Sequence, residues 1–152
     1  MVDKGFIMNI DELHDMWEQD CNLNEDHLDR ESVNTAKLHA KYLRLLIQHK
    51  MKIAALESDY NIKRQSKFRY YRGEMSRDEL KDLGWNQWQG VKPLKNEMDE
   101  FLGGDTDLNR ITVKITYIKV MVEALESILK QIGARDWQIR NAITWKQFIA
   151  GN

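Results

Sequence analysis

Residues 31–73 read ESVNTAKLHAKYLRLLIQHKMKIAALESDYNIKRQSKFRYYRG, and the fold turns on this stretch. Val33, Ala36, Ala40, Leu43, Ile47, Met51 and Ala54 recur at gaps of three and four, which keeps them on one face of a helix with 3.6 residues per turn. Tyr42, Leu46, Ile53, Leu56 and Tyr60 form a second edge that widens the stripe. Neither proline nor glycine interrupts the run before Gly73, which supplies a left-handed stop. A helix of some 40 residues is about 60 Å long at ~1.5 Å per residue, more than a compact domain of this size spans. Such a helix belongs to an extended hairpin, a bundle or an oligomer.

The last third of the stretch changes character. Lys63, Arg64, Lys67, Arg69 and Arg72 lie among Phe68, Tyr70 and Tyr71, with no acid between Asp59 and Glu74. Cations neutralise phosphates and aromatic faces stack on bases of any identity, so this is the chemistry of a single-stranded nucleic-acid site. Phe68 has an equal reading as a core residue.

The rest of the chain surrounds this helix. Ten acids and two bases fall in residues 1–32, a net of −8; ten bases and two acids fall in 33–73, a net of +8. The near-neutral total of −1 therefore hides an acidic first segment and a basic second one. Either each has an electrostatic partner or the two face each other within the fold. Asn9-Ile10-Asp11-Glu12 has the form of a capping box opening a short helix to about Asp20, after a frayed end at 1–8. Ser76-Arg77-Asp78-Glu79 repeats the signal for a helix to about Leu83. Pro93 suits the first turn of a helix running to Leu102 and stopped by Gly103-Gly104. Trp85 and Trp88, between these helices, are either core plugs or stacking and interface anchors.

Leu108, Ile111, Ile115, Ile118, Val122, Leu125, Leu129 and Ile132 keep a strict three–four alternation, an a/d seam capped by Asp105 or Asp107 and ended by Gly133. Val113, Val120 and Met121 widen that face. The seam packs on the long helix of its own chain or on neighbouring subunits. In the last helix, Trp137, Ile139, Ile143, Trp145, Phe148 and Ile149 wrap most of the circumference and are expected to meet an adjoining copy rather than be simply buried. The expected architecture is all-α: one elongated helical bundle over 1–152, with two long helices and short terminal helices, assembling as a homo-oligomer. Its segments are an acidic 1–30, the long helix 31–73, an irregular linker with short helices at 74–104, the heptad helix 105–133 and a terminal helix at 134–152.

Other chemistries find no support. Cys21 is the only cysteine, which excludes an internal disulfide and a cysteine-built zinc site. His14, His27, His39 and His49 are scattered without ligand spacing, and no metal or cofactor is expected. There is no phosphate-binding G-x-x-x-x-G-K-[ST] and no nucleophile–histidine pattern, so the expected role is binding and not enzymatic. The start is too polar for a signal peptide, and no run of about 18 apolar residues exists to span a membrane.

These features, in this order, resemble the phage UvsY-type recombination mediator family. The resemblance covers most of the chain: a short acidic first helix, a long helix with a basic end before Tyr70-Tyr71-Arg72-Gly73, and a terminal element around Ile139 to Gly151. It implies a mediator that binds single-stranded DNA and forms a ring-like homo-oligomer, a hexamer or heptamer. It also implies loading of a phage recombinase onto strands covered by a phage single-strand-binding protein, in the cytoplasm of the host cell. The family's Lys-x-Arg ahead of the Tyr-Tyr falls on Gln65 and Lys67, a departure at Gln65, while Lys63, Arg64 and Arg69 carry charge on neighbouring faces. A different class, a helical scaffold or adaptor whose basic segment binds an acidic protein, is the alternative.

Overall fold

The computed structural model describes residues 8–151, so most of the expected frayed end, at 1–7, lies outside the described residues. Six helices follow in order: α1 Ile10–Asp20, α2 Leu28–Tyr71, α3 Arg77–Leu83, α4 Met98–Gly103, α5 Thr106–Gly133 and α6 Arg135–Ile149. The described residues contain no strand, and the fold is all-α. No helix among them is long and apolar enough to cross a membrane.

The helix ends follow local chemistry. Asn9 and Glu12 close a reciprocal capping box on α1, with Glu12 N–H donating to Asn9 Oδ1 at 2.8 Å and Asn9 N–H to Glu12 Oε2 at 3.0 Å. Ser76 and Glu79 do the same for α3. Gly73 takes φ +69° after α2, and the N–H groups of Gly73 and Glu74 donate to the carbonyls of Tyr70 and Arg69, satisfying the last turn. Asp105 caps α5, its Oδ1 accepting from the N–H groups of Asp107 and Leu108 at 3.0 Å each. The helix expected from Pro93 starts only at Met98. Residues 94–97 are instead a turn, in which the Glu97 carboxylate accepts from Leu94 N–H at 3.0 Å.

The chain divides into two compact units. The first takes the chain up to His49 together with everything from Val120 onward. Its core is Leu13 of α1, Leu28, Leu38, Tyr42 and Leu46 of α2, Met121, Val122, Leu125, Ile128 and Ile132 of α5, and Ile139 of α6. Each fully buried aliphatic or aromatic side chain here contributes about 1.5–3 kcal/mol over an exposed one. Trp17 meets Tyr42 edge-on at 5.4 Å, and the Tyr42 hydroxyl donates to Asp20 at 2.9 Å. Arg135 is 2 % exposed and bonds Glu31 Oε2 at 2.7 Å and Thr35 Oγ1 at 3.1 Å. Lys41 also pairs with Asp20, so part of the acidic first segment does face bases within the fold.

Two expectations are corrected in α2 and α5. Val33, Leu43, Ile47 and Met51, with Ala36, Ala40 and Ala54 between them, lie on the exposed side of α2. The inward face is the second edge, with Tyr42 and Leu46 buried and Ile53, Leu56 and Tyr60 half-buried, and Leu38, outside both stripes, is buried with it. The two stripes are rotated by about 100°, one residue, and the buried one carries the larger side chains and the polar anchors Glu31 and Thr35 that meet Arg135. On α5 the seam faces inward and Met121 widens it as expected, but Val113 and Val120 are exposed and Ile128 is buried in their place.

The second unit, Lys50–Lys119, packs Tyr71, Met98, Leu102 and Leu108 into a core ringed by Tyr60, Phe68, Tyr70, Trp88 and Phe101. Tyr71 is edge-on to Trp88 at 4.9 Å and to Phe101 at 5.8 Å, and Tyr70 to Trp85 at 5.4 Å. Such pairs add about 0.5–1.5 kcal/mol each beyond area burial. Trp88 is therefore part of this core's wall, its indole N–H donating to Val91 O at 3.1 Å.

Candidate nucleic-acid interface

The basic end of α2 lies wholly in the second unit. Helical spacing sets the fate of each cation. Lys67 is seven residues after Tyr60 and four before Tyr71, so it points along the buried face. A cation there needs counter-charges, and the start of α5 supplies two: Asp105 Oδ2 at 3.2 Å and Asp107 Oδ2 at 2.8 Å. The Lys67 ammonium also sits 4.3 Å from the Trp85 ring centroid and 5.5 Å from that of Tyr70. At 7 % exposure Lys67 is sealed, and its charge is spent inside the fold. The expectation that Lys67 meets a phosphate gives way to a structural role.

Asp105 is the hub of this network. Its Oδ2 also accepts from the Tyr71 hydroxyl at 2.7 Å. Burial pushes the Asp105 carboxyl up, but the hydrogen bonds from Tyr71, Leu108 N–H and Lys67 and the ammonium charge outweigh it, and the net direction is down. The hydrogen bond from Lys67 likewise lowers Asp107. Burial, then the bond to Asp105, drives the Tyr71 hydroxyl well above the ordinary tyrosine range. Tyr71 is buried and Phe68 is packed against the core, so neither presents a free stacking face. Tyr70 is half-buried and tied by its hydroxyl to Asn86 O at 2.6 Å.

The remaining cations lie outside. Arg64 reaches Asp99 at 3.1 Å, Arg69 reaches Glu79 at 3.0 Å and Arg72 reaches Glu74 at 2.7 Å. All three arginine side chains keep between 41 and 44 % exposure. Glu79 is held below the usual carboxylate range, first by the Ser76 N–H of its capping box and then by Arg69. Lys63 is half-buried at the same end of the helix. Exposed pairs of this kind are worth about 0–1 kcal/mol, whereas opening the Lys67 cluster costs about 3–5 kcal/mol. An incoming anion can therefore exchange with the first set and not with the second. Two side chains outside the expected site also lie close by: Lys114 of α5 borders Lys63, and Trp85 borders both. Trp85 already had a reading as a stacking anchor, whereas the distance of Lys114 in sequence from the basic run hid it.

Of the residues expected to associate, Ile139 is 4 % exposed and belongs to the first unit's core. Trp137, Ile143, Trp145, Phe148 and Ile149 are exposed on α6, with Trp145 and Phe148 stacked at 5.6 Å.

An all-helical chain with no strand among its described residues, carrying a cation-rich helix end, is the class that fold and site define. Residues 16–152 match the family model described as "Recombination, repair and ssDNA binding protein UvsY", and the chain belongs to the UvsY family. The recombination protein uvsY of Enterobacteria phage T4 is 21 % identical over 144 residues, which cover 95 % of this chain and 99 % of that protein. Two crystal structures of the bacteriophage T4 recombination mediator protein UvsY share the fold. One, in lattice type II, has a TM-score of 0.78 at 20 % identity, covering 95 % of this chain and 99 % of that one. The other, in lattice type IV, has a TM-score of 0.79 at 19 % identity, covering 93 % and 99 %.

Proposed function

We propose that this chain is a recombination mediator: it binds single-stranded DNA through the exposed cations at the end of α2, assembles as a ring-like homo-oligomer, and loads a recombinase onto strands covered by a single-strand-binding protein. The observation that carries the reading is the match of residues 16–152 to a recombination, repair and single-stranded DNA-binding family. Arg64, Arg69 and Arg72, with Lys63, are the phosphate contacts, because each arginine side chain keeps more than 40 % exposure and its ionic partner is a surface carboxylate that an anion can replace. Assembly is supported by two uncovered apolar faces. One is the α2 stripe through Val33, Leu43, Ile47 and Met51, and the other is the exposed side of α6. Repeating a weak cationic site around an oligomer raises avidity by effective concentration, without a new contact. A strand held by several subunits is also one whose coat protein can be displaced, which is the step a mediator supplies.

The test is fluorescence anisotropy of a labelled oligo-dT at several salt concentrations. Arg64→Gln/Arg69→Gln/Arg72→Gln should reduce the log–log salt slope by about 2, at roughly 0.7 per phosphate lost. A wild-type slope in the triple variant would remove these arginines from the interface. Binding of an acidic protein in place of the oligonucleotide would support the adaptor class.

A further inference from the structure

We propose that a groove in the second unit, walled by Trp85 and flanked by Lys63 and Lys114, seats one unpaired nucleotide, with its base against the indole and its phosphate on the two ammonium groups. This rests on the single-strand reading above and deepens it.

The groove has a volume of about 380 Å³, within the ~300–1,000 Å³ of small-ligand clefts. Three elements build it: Ile62 and Lys63 come from α2, Leu83 and Trp85 from the end of α3 and the turn after it, and Lys114 from α5. Ile62 and Leu83 are 64 % and 46 % exposed, so apolar surface beside the two cations lacks cover from the chain itself. Trp85 is anchored from behind. Lys67 lies 4.3 Å from its ring centroid and Tyr70 meets it edge-on at 5.4 Å, and neither of these lines the groove. The backbone is anchored too: Gly84 takes φ +68° and Trp85 N–H donates to Leu80 O at 2.9 Å. An indole fixed before the ligand arrives loses little freedom on binding, which is what a stacking platform needs.

A flat apolar plate beside two ammonium groups fits a ligand that is flat at one end and anionic at the other. Asp59, one turn before Lys63, lines the same groove and offers an acceptor for a base N–H, while its charge keeps the phosphate on the lysine side. A second groove of this unit makes the contrast. It is larger, about 620 Å³, and has aromatic walls in Tyr71, Trp88 and Phe101. Glu97 and Glu100 line it and no cation does, so it repels a phosphate.

The experiment uses the full chain and an oligo-dT carrying one 5-iodouracil, irradiated and mapped by peptide mass spectrometry. Anisotropy is measured in parallel on Lys63→Gln/Lys114→Gln, Trp85→Leu and Trp85→Tyr. The expected results are a crosslink in the peptide holding Trp85 and a salt slope lower by about 0.7, for the one phosphate lost, in the lysine variant. Binding should weaken about tenfold or more in Trp85→Leu and stay near wild type in Trp85→Tyr. Lys114 is exposed and Lys63 half-buried, so the lysine variant stays informative even if Trp85→Leu fails to fold. Crosslinks confined to other peptides, with a wild-type slope in the lysine variant, would overturn the groove and leave the single-strand reading standing. Failure of the wild-type chain to bind the oligonucleotide would overturn both.

Discussion

Replacing Lys67 by methionine separates a fold-holding cation from a strand-holding one. The substitution keeps the length of the side chain and removes the ammonium. Asp105, 4 % exposed, would then keep only its bonds from Tyr71 and from the N–H groups of Asp107 and Leu108. Asp107 has 29 % side-chain exposure and keeps Arg110 at 3.5 Å, so water and a second cation soften its loss. Breaking a buried pair by removing one partner costs about 3–5 kcal/mol, and the half-open Asp107 puts this case near 3 kcal/mol. With a urea m-value of about 1–3 kcal/mol/M, the midpoint should fall by roughly 1–3 M, read by circular dichroism and tryptophan fluorescence. Lys67→Met/Asp105→Asn removes the stranded charge as well and should recover part of the loss. A Lys67→Met change in stability below about 0.5 kcal/mol, together with lost oligonucleotide binding, would refute the reasoning and return Lys67 to the interface.

Other outcomes follow from the same contacts. Because the folded-state carboxyls of Asp105 and Asp107 are depressed, their contribution is complete above the unfolded value of about 3.9 and is lost as pH falls through the folded values; Lys67→Met should therefore flatten the acid limb of a stability–pH curve below about pH 4. Tyr42 and Tyr71 are both driven up by burial and then by an aspartate partner, so absorbance titration should show two of the five tyrosines ionising late, with stability declining as pH rises above about 10. Gly73→Ala should cost about 1–2 kcal/mol in urea unfolding, since φ +69° suits glycine and a Cβ there would stand 3.0 Å from the movable Lys92 Cε. Ile47→Asp, on the uncovered stripe of α2, should lower the mass seen by light scattering and weaken strand binding while leaving helicity unchanged.

How much of this could be read from residues alone depends on the range of the interaction involved. Helix ends at Asn9, Gly73 and Ser76, and the choice of Asp105 or Asp107 for α5, are legible because caps act within a few residues. The α5 seam was legible because a single apolar stripe leaves one choice of inward face. On α2 two apolar stripes compete, and partners on other helices, Trp17 and Asp20 of α1 at Tyr42 and Arg135 of α6 at Glu31 and Thr35, go with the face that turns inward. Lys67 was misread because local cation density hid its register; the spacing Tyr60–Lys67–Tyr71 already marked it as inward, and Asp105 and Asp107 were its available counter-charges. In α6 the departure is Ile139, which goes into the first unit's core, while Trp137, Ile143, Trp145, Phe148 and Ile149 stay uncovered within the chain. Pro93 permitted a helix start without requiring one, and the Glu97 carboxylate on Leu94 N–H holds a turn instead.

The central claim is a division of labour among the cations at the end of α2, and residue-level footprinting tests it most directly. Arginines are modified with a dicarbonyl reagent and lysines with an acylating one, on the free chain and on the chain saturated with oligo-dT, and read by mass spectrometry. The account predicts that Arg64, Arg69 and Arg72 react when free and are shielded by the strand, while Lys67 stays unmodified in both states. Equal reactivity of the three arginines with and without bound strand, or ready acylation of Lys67 in the folded chain, would contradict it.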